Sequence, residues 1–180
     1  MSSELIDRIE SIRASRLSSI RRNKYGNLEL SNPPLTNSSG MYWIYTNYDI
    51  DLMKKSSCTS DKGAINIANL TSQHDGLPDV CTISHDSGTD GEFRLVYNGI
   101  AGKSLGVRGR IHQHFNGGKG TGCLSILKSS MCDLDRWRVS YVTFEHKTSP
   151  TDINVSYSDE AKNLERIWRL KFGWPLLCKI

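Results

Sequence analysis

The stretch from Tyr97 to Phe115 concentrates residue types that bind phosphate. Tyr97 ends an apolar run, Gly99, Gly102 and Gly106 follow, and a basic segment then carries Arg and His side chains. This order predicts a strand, a glycine-rich turn and the start of a helix. Backbone N–H groups at a helix N-terminus have no intrahelical partner, and the helix dipole attracts anions. We therefore expect a phosphate-handling site here, although the glycines alone are equally consistent with an ordinary turn.

The basic residues after the turn offer two alternative pairs of phosphate ligands. Arg108 and His112 are four residues apart, as are Arg110 and His114, so each pair shares one side of a helix. The two pairs point about 200° apart, so only one pair faces a given phosphate. His112 and His114 also point about 200° apart on a helix, so they are poorly placed to bind one zinc ion together. Lys103 is either a further phosphate ligand or an exposed loop lysine.

A second candidate is the carboxylate of Glu165. On the last predicted helix it projects beside Ala161, Trp168 and Phe172, inside the apolar stripe. A carboxylate in that position is costly unless it is paired or bound to a metal. The two interpretations left open are a metal ligand and an ion pair with Arg169, one helical turn further on.

Hydrophobic periodicity divides the chain into helices and strands. Three strands are expected, at Gly40–Thr46, Phe93–Tyr97 and Trp137–Phe144. Helices are expected over Glu4–Asn23, Ala64–Gln73 and Gly106–Phe115, and a last helix ends at Gly173; a surface turn is expected around Asp86–Gly91. The predicted fold class is α/β in the α+β sense, with a small, mostly antiparallel, three-stranded central sheet flanked by helices.

Composition sets limits on the class of protein. A chain of 180 residues with a net charge of +4 is large enough for one domain with a core, and its charge allows an anionic partner. Five scattered cysteines do not predict a disulfide framework or a zinc site. The charged N-terminus lacks a signal sequence, and no apolar run approaches the ~18 residues of a membrane span. We expect a cytoplasmic protein with no membrane partner.

The N-terminal helix is rich in arginine. The basic side chains on its outer faces and at its C-terminal end are Arg8, Arg13, Arg16, Arg21 and Arg22. They form either a solvated face or an arm that contacts the DNA backbone. Residues 1–39 are therefore predicted to be a helical arm and linker, and residues 40–180 a catalytic domain.

Short motifs in this order resemble those of the GIY-YIG nuclease superfamily. Gly40-Met41-Tyr42 stands where the family has Gly-Ile-Tyr, and Tyr97-Asn98-Gly99 where it has Tyr-Ile-Gly. The helix after the second motif carries the family's arginine, best matched by Arg110, and Glu165 matches the family's metal-binding glutamate in context. Tyr42 and Tyr97 are farther apart than in a minimal member, so residues 47–92 are interpreted as a large insertion.

The resemblance implies a metal-dependent endonuclease that hydrolyses phosphodiester bonds in double-stranded DNA. Among members of that superfamily, the chain most resembles a compact type II restriction endonuclease of a restriction-modification system. One Mg²⁺ or Mn²⁺ ion per active site is implied, held by Glu165, with Glu145 and Glu160 as alternative ligands.

The resemblance also implies roles for the remaining site residues. Arg110 clamps the scissile phosphate with help from Lys103, and Tyr42 and Tyr97 face that phosphate. The general base on the attacking water is either Tyr42 or His114. The Arg108 and Arg110 alternatives stay open, and the match to the family favours Arg110 with His114.

Double-stranded DNA is the implied partner, and a homodimer or higher oligomer is expected because one active site cuts one strand. The additional DNA contacts are expected from Arg21, Arg22, Arg108 and His112. Selection of the DNA sequence is expected from the N-terminal arm, the 47–92 insertion and the Gly117–Ser130 region. Two alternatives remain: a less specific repair or phage-type nuclease, and a non-catalytic nucleic-acid-binding module of the same fold.

Overall fold

The computed structural model describes residues 3–57, 62–77, 80–81, 84–86, 92–118, 121–144, 152–153 and 159–179. The strands in these ranges are β1 (Ser18–Arg22), β2 (Leu28–Leu30), β3 (Gly40–Thr46), β4 (Val80–Cys81), β5 (Ser84–Asp86), β6 (Glu92–Ala101), β7 (Trp137–Phe144), β8 (Asp152–Ile153) and β9 (Trp174–Pro175). The helices are α1 (Ser3–Ser15), α2 (Ile50–Lys54), α3 (Ile67–His74), α4 (Gly106–Asn116) and α5 (Asp159–Phe172). Short 3₁₀ helices cover Ile126–Lys128 and Leu134–Arg136.

The fold is α+β, with an antiparallel sheet flanked by helices. Five antiparallel strands follow one another in the order β2-β1-β7-β3-β6. The short strand β5 extends the sheet beside β6, and β8 pairs in parallel with β7. Strands β4 and β9 form a separate parallel pair. The three expected strands lie side by side as β7, β3 and β6, but the sheet is larger than the three strands expected.

The N-terminal segment corrects one prediction. The helix expected over Glu4–Asn23 ends at Ser15, and the residues beyond it form β1. In β1, Ser18 and Ile20 are buried while Arg21 is exposed, which is the alternation of a strand with one solvated face. Ile20 fits a helical period by position alone, but pairing with β2 and β7 decides its structure. The region predicted to be an arm therefore adds two strands to the central sheet.

Strand β3 is buried along its whole length because helices cover both faces of the sheet. Its residues alternate between two hydrophobic clusters. Tyr42 and Ile44 belong to the cluster that includes residues of α4, whereas Met41, Trp43 and Tyr45 belong to the cluster that includes residues of α1 and α5. A central strand with two buried faces explains why this segment is a near-continuous apolar run.

The helices expected near residues 64–73 and 106–115 are present as α3 and α4, and the last expected helix, ending at Gly173, is α5. A surface turn was expected around Asp86–Gly91. Asp86 is the last residue of β5, and residues 87–91 lie outside the described ranges. No helix within the described ranges is both long and apolar enough to cross a bilayer.

Arg13 joins α1 to the sheet and to α5 through a buried polar network. Only 2% of Arg13 is exposed, contrary to its predicted place on an outer arginine-rich face. Its guanidinium pairs with Glu10 and donates to the Tyr45 hydroxyl at 2.8 Å. Glu10 also accepts from the indole of Trp168 at 2.8 Å. A charge this deep is stable only because its donors are paired.

We expect Arg13→Met to lower the free energy of unfolding by about 3 kcal/mol, because it leaves Glu10 and the Tyr45 hydroxyl without their partner. Urea denaturation measures this loss. Arg21→Met is the matched control, since Arg21 forms an exposed ion pair with Glu29 and should cost less than about 1 kcal/mol. Equal losses for the two variants would contradict a stabilising role for the buried network.

Candidate active site

The register of two neighbouring strands places Tyr42 and Tyr97 together. Tyr42 on β3 lies directly opposite Gly99 on β6. Tyr97 precedes Gly99 by two residues, so its side chain is on the same face as that of Tyr42. The two rings stack with their centroids 6.3 Å apart. The two tyrosine motifs of the sequence thus meet through direct strand pairing.

Gly99 provides the space in which the Tyr42 ring lies. A Cβ atom at this position would be 2.7 Å from Cζ of Tyr42, a distance too short for a real contact. The absence of a side chain lets the phenol ring lie across the backbone of β6. Gly99 is needed here for a close side-chain approach, and it lies within β6 rather than in the predicted turn.

His114 on α4 completes a buried aromatic cluster with the two tyrosines. Its Nε2 lies 2.9 Å from the Tyr42 hydroxyl oxygen, and its ring centroid is 4.5 Å from that of Tyr97. Its other nitrogen, Nδ1, accepts a hydrogen bond from the backbone N–H of Leu124 at 3.3 Å. A neutral imidazole carries one proton, so this bonding assigns the proton to Nε2, which donates to Tyr42. The Tyr42 hydroxyl proton is then directed away from His114.

Arg110, one helical turn before His114, is anchored beside this cluster. Its Nη1 donates to Oε1 of Gln113 at 2.8 Å, and its Nη2 donates to the carbonyl of Thr121 at 2.6 Å. The Arg110 charge and its hydrogen bonding act to lower the pKa of Tyr42. The geometry therefore groups Arg110 and His114, rather than Arg108 and His112, with the tyrosines.

Burial keeps the tyrosines and His114 neutral. Desolvation raises the pKa of Tyr42 well above its usual value, and Arg110 opposes that rise only in part. Burial likewise raises the pKa of Tyr97 to about 12. The pKa of His114 is lowered well below its usual value, mainly by burial and then by the nearby Arg110 charge. Near neutral pH the cluster consists of two phenols and an uncharged imidazole.

Glu165 on α5 is held by a partly buried ion pair. Its Oε1 is 2.7 Å from Nη2 of Arg169, and only 17% of the Glu165 side chain is exposed. Burial raises the pKa of Glu165, while the Arg169 and Arg166 charges lower it. Arg169 is itself fixed, because its Nε donates to Oδ1 of Asn98 at 2.8 Å and its guanidinium lies over the Trp174 ring.

The Glu165 charge reaches the tyrosine cluster from the other side of the sheet. Its negative charge contributes to the raised pKa values of both Tyr42 and Tyr97. Strand β5 pairs with β6 at residues 92–94, and beyond that pairing the C-terminal segment lies along β6, where the Leu177 N–H donates to the Val96 carbonyl at 2.7 Å. The Glu165 carboxylate is therefore coupled electrostatically to the phenols.

The chemistry of Glu165 fits a Mg²⁺ ligand, although the site offers one carboxylate. Mg²⁺ prefers oxygen ligands and commonly uses one or two carboxylates together with water and substrate phosphate. Arg169 bonds to Oε1, and within the described ranges no side chain hydrogen-bonds to Oε2. No group of three or more His, Cys, Asp or Glu side chains suited to a metal occurs in the part of the chain that the structure describes.

Several candidates lie outside this cluster. Lys103 is exposed in the turn between β6 and α4, and Glu160 is exposed at the start of α5. Glu145 lies outside the described ranges. Arg108 and His112 line a groove against the β1–β2 turn. Arg21 and Arg22, also predicted to contact DNA, are exposed on β1.

The first turn of α4 is not the open anion cradle that the sequence suggested. The backbone N–H of Gly106 donates to the carbonyl of Gly102, and that of Val107 donates to the carbonyl of Ser38, each at 2.8 Å. Gly106 has a φ of +70°, which places the helix start against Asn37. Two of the N–H groups expected to bind phosphate are therefore used by the protein.

The sequence did not predict the buried polar contacts among Asn98, Arg169 and Cys178 beside Glu165. Asn98 is fully buried in β6, accepts from Arg169, and receives a weak contact from the thiol of Cys178. An asparagine inside an apolar strand was the available signal, because a buried amide needs partners. Its partners lie far along the chain, so spacing does not reveal them.

The chain matches no protein-family model, no curated protein and no solved structure.

We expect Gly99→Ala to lower the free energy of unfolding by about 1–3 kcal/mol, because the added methyl group collides with the Tyr42 ring. A double-mutant cycle with Tyr42→Leu, followed by urea denaturation, tests this contact. In the Tyr42→Leu background the alanine should cost much less. The same cost in both backgrounds would show that Tyr42 does not lie against Gly99.

His114 should make the folded state sensitive to acid. Its pKa is lowered in the folded protein, so between the folded value and the unfolded value of about 6.5 the unfolded chain binds the extra proton. Stability should therefore fall as the pH drops below about 6.5, by up to about 1.4 kcal/mol per pH unit. Denaturation at several pH values measures this slope. His114→Asn should reduce it, and an unchanged slope would contradict a buried neutral imidazole.

Proposed function

We propose that this protein is a metal-dependent endonuclease that hydrolyses phosphodiester bonds in double-stranded DNA. The observation that carries the proposal is the hydrogen-bonded pair of Tyr42 and His114, at 2.9 Å, with Arg110 and Glu165 both acting electrostatically on the same hydroxyl. Two phenols, together with a guanidinium and a carboxylate whose charges act on them, can supply the proton transfer and charge stabilisation that phosphodiester hydrolysis needs. The arrangement supports a nuclease of the GIY-YIG kind.

Arg110 is proposed to hold the scissile phosphate. Arginine has five N–H groups, so its anchoring to Gln113 and Thr121 leaves donors for phosphate oxygens. The anchor restricts the side chain to few rotamers, which reduces the entropy lost when substrate binds. A fixed positive charge beside the phosphate also stabilises the additional negative charge of the transition state.

Tyr42 is proposed to contact the attacking water. His114 donates to the Tyr42 oxygen, so the phenolic proton points away from His114 and toward the proposed position of the substrate. Burial raises the pKa of Tyr42, and the His114 hydrogen bond and the Arg110 charge act against that rise and favour the phenolate. The phenolate can accept a proton from the attacking water once the phenolic proton has passed to another water molecule. His114 is a poor general base in this arrangement, because Nδ1 accepts from Leu124 and Nε2 carries the proton. We therefore favour Tyr42 over His114 as the general base.

Glu165 is proposed to hold the divalent cation, Mg²⁺ or Mn²⁺, through its carboxylate oxygens. When bound, such a cation supplies charge neutralisation at the phosphate and at the leaving oxygen. Arg169 orients the carboxylate by donating to its Oε1, and Asn98 in turn accepts from Arg169 and fixes it. Buried surroundings raise the pKa of Glu165, so the positive charges of Arg169 and Arg166 help to keep it ionised.

The finer proposal is a site-specific type II restriction endonuclease. One cluster of this kind occurs in the described chain and would cut one strand. Cutting both strands then requires a homodimer or a second binding event. Dimerisation follows from the requirement for double-strand cleavage, and selectivity for one DNA sequence is a separate part of this proposal.

The second candidate is a non-catalytic nucleic-acid-binding module. The favouring observation is the ion pair in which Arg169 neutralises Glu165 at 2.7 Å. A carboxylate with a permanent cationic partner has less need of a metal ion. In this case Glu165 would serve stability alone.

We expect the purified protein to cut plasmid and phage DNA when Mg²⁺ is present and to stop when EDTA is added. Glu165→Gln should reduce the rate by about 100-fold or more, the size typical of losing one electrostatic catalytic group. Glu4→Gln is the matched control, because Glu4 is an exposed carboxylate on α1. Agarose gels measure cleavage, and thermal melting confirms that each variant is folded.

The products distinguish the candidates. Discrete fragments support the site-specific enzyme, and a continuous smear supports a less specific nuclease. A folded wild-type protein that binds DNA but leaves it intact under these conditions would favour the non-catalytic module.

A further inference from the structure

A polar groove of about 410 Å³ lies between the β1–β2 turn and the side of α4 that carries Arg108 and His112. From the hairpin it is lined by Asn23, Asn27 and Glu29, and from the helix by Arg108, His112 and Asn116. The helix residues follow one another at intervals of four, so they share one side of α4. This groove is separate from the tyrosine cluster, which uses the side of α4 that carries Arg110 and His114.

Two donors on the helix wall lack protein partners. Within the described ranges, Arg108 forms no ion pair and no hydrogen bond, and its charge acts on its neighbour His112. Nε2 of His112 is buried without a hydrogen-bond partner. A buried polar atom without a partner is costly, so it calls for a ligand or solvent. A guanidinium beside an imidazole suits an anion with several acceptor oxygens.

The hairpin wall is preorganised and nearly neutral. Oδ1 of Asn23 accepts from the backbone N–H groups of Tyr25 and Asn27 at 3.0 and 3.1 Å, which fixes the turn. Glu29, the acid of this wall, is 3.3 Å from Nη2 of Arg21. The arginine offsets the charge of the carboxylate that would otherwise oppose an anion.

The turn adds features typical of nucleic-acid contact. Tyr25 at its tip is 74% exposed, and the Lys24 ammonium lies 5.0 Å from the centre of the Tyr25 ring. Arg22 donates to the Gly26 carbonyl at 2.8 Å and so holds the tip in place. An exposed aromatic ring with adjacent cations is a surface that a polyanion with stacked bases can contact.

We propose that the groove between the β1–β2 turn and α4 binds a non-scissile backbone phosphate of the DNA. Arg108 is its cationic anchor and His112 a neutral donor. This inference rests on the proposed nuclease function, and it assigns α4 two separate phosphate contacts. Arg110 holds the scissile phosphate on one side of the helix, and Arg108 holds a second phosphate on the other. A rigid helix between them sets the register of the cleaved strand relative to the hairpin.

The test measures DNA binding without cleavage. Fluorescence anisotropy of a labelled duplex, in the presence of Ca²⁺ in place of Mg²⁺, is followed over a range of salt concentrations. Arg108→Gln should weaken binding by about 10-fold and reduce the slope of log K against log salt by about 1, because one phosphate contact is lost. His112→Ala should weaken binding with little change in slope, since a neutral donor is removed. Lys55→Gln, which removes an exposed charge at the end of α2, should match the wild type.

The outcomes separate this inference from the proposed function. Wild-type binding with Arg108→Gln equal to Lys55→Gln overturns the groove and leaves the nuclease proposal standing. No DNA binding by the folded wild type overturns both. A parallel NMR titration with inorganic phosphate follows the His112 ring signals. Arg108-dependent shifts with phosphate, together with DNA binding that does not depend on Arg108, would assign the groove to free phosphate and overturn the DNA contact.

Discussion

Tyr42 lies across Gly99 on the neighbouring strand, and the geometry of the candidate site depends on this crossing. The missing Cβ lets the phenol ring rest on β6, where its hydroxyl meets Nε2 of His114. Tyr97 stacks beside it because residues two apart on a strand share a face. A larger residue in place of Gly99 would move the hydroxyl away from the helix. Gly99 thus lets the Tyr42 hydroxyl lie within hydrogen-bonding distance of His114 on α4.

Burial determines the charge state of the groups assembled there. Water is largely excluded, so the phenols and the imidazole stay neutral, and the charged groups need fixed partners. Arg110 is anchored by Gln113 and Thr121, and Glu165 by Arg169. The same rule applies to Arg13 in the core on the other face of the sheet, where Glu10 and the Tyr45 hydroxyl accept hydrogen bonds from its guanidinium. Arg13, Arg110 and Arg169 each also join their own helix to another part of the chain.

The central strands and the helices of the site could be predicted from local patterns. The run Gly40–Thr46 is aromatic and β-branched, and Gly106–Phe115 lies between glycines, so both elements form where expected. The N-terminal segment was predicted wrongly, because Ile20 fits a helical period while its hydrogen bonds go to β2 and β7. Strand pairing between distant segments carries no local signal, and for that reason the sheet is larger than expected.

The sequence by itself determined which chemical groups are present and which of them share a helix side. It paired Arg110 with His114 and Arg108 with His112, since residues four apart lie on one side. It did not determine which pair meets the tyrosines. The tertiary structure decided that choice, because the packing of α4 on the sheet turns His114 toward Tyr42 and turns His112 toward the hairpin. Only the fold brought Asn98 to Arg169, because a contact between a strand and a distant helix depends on packing.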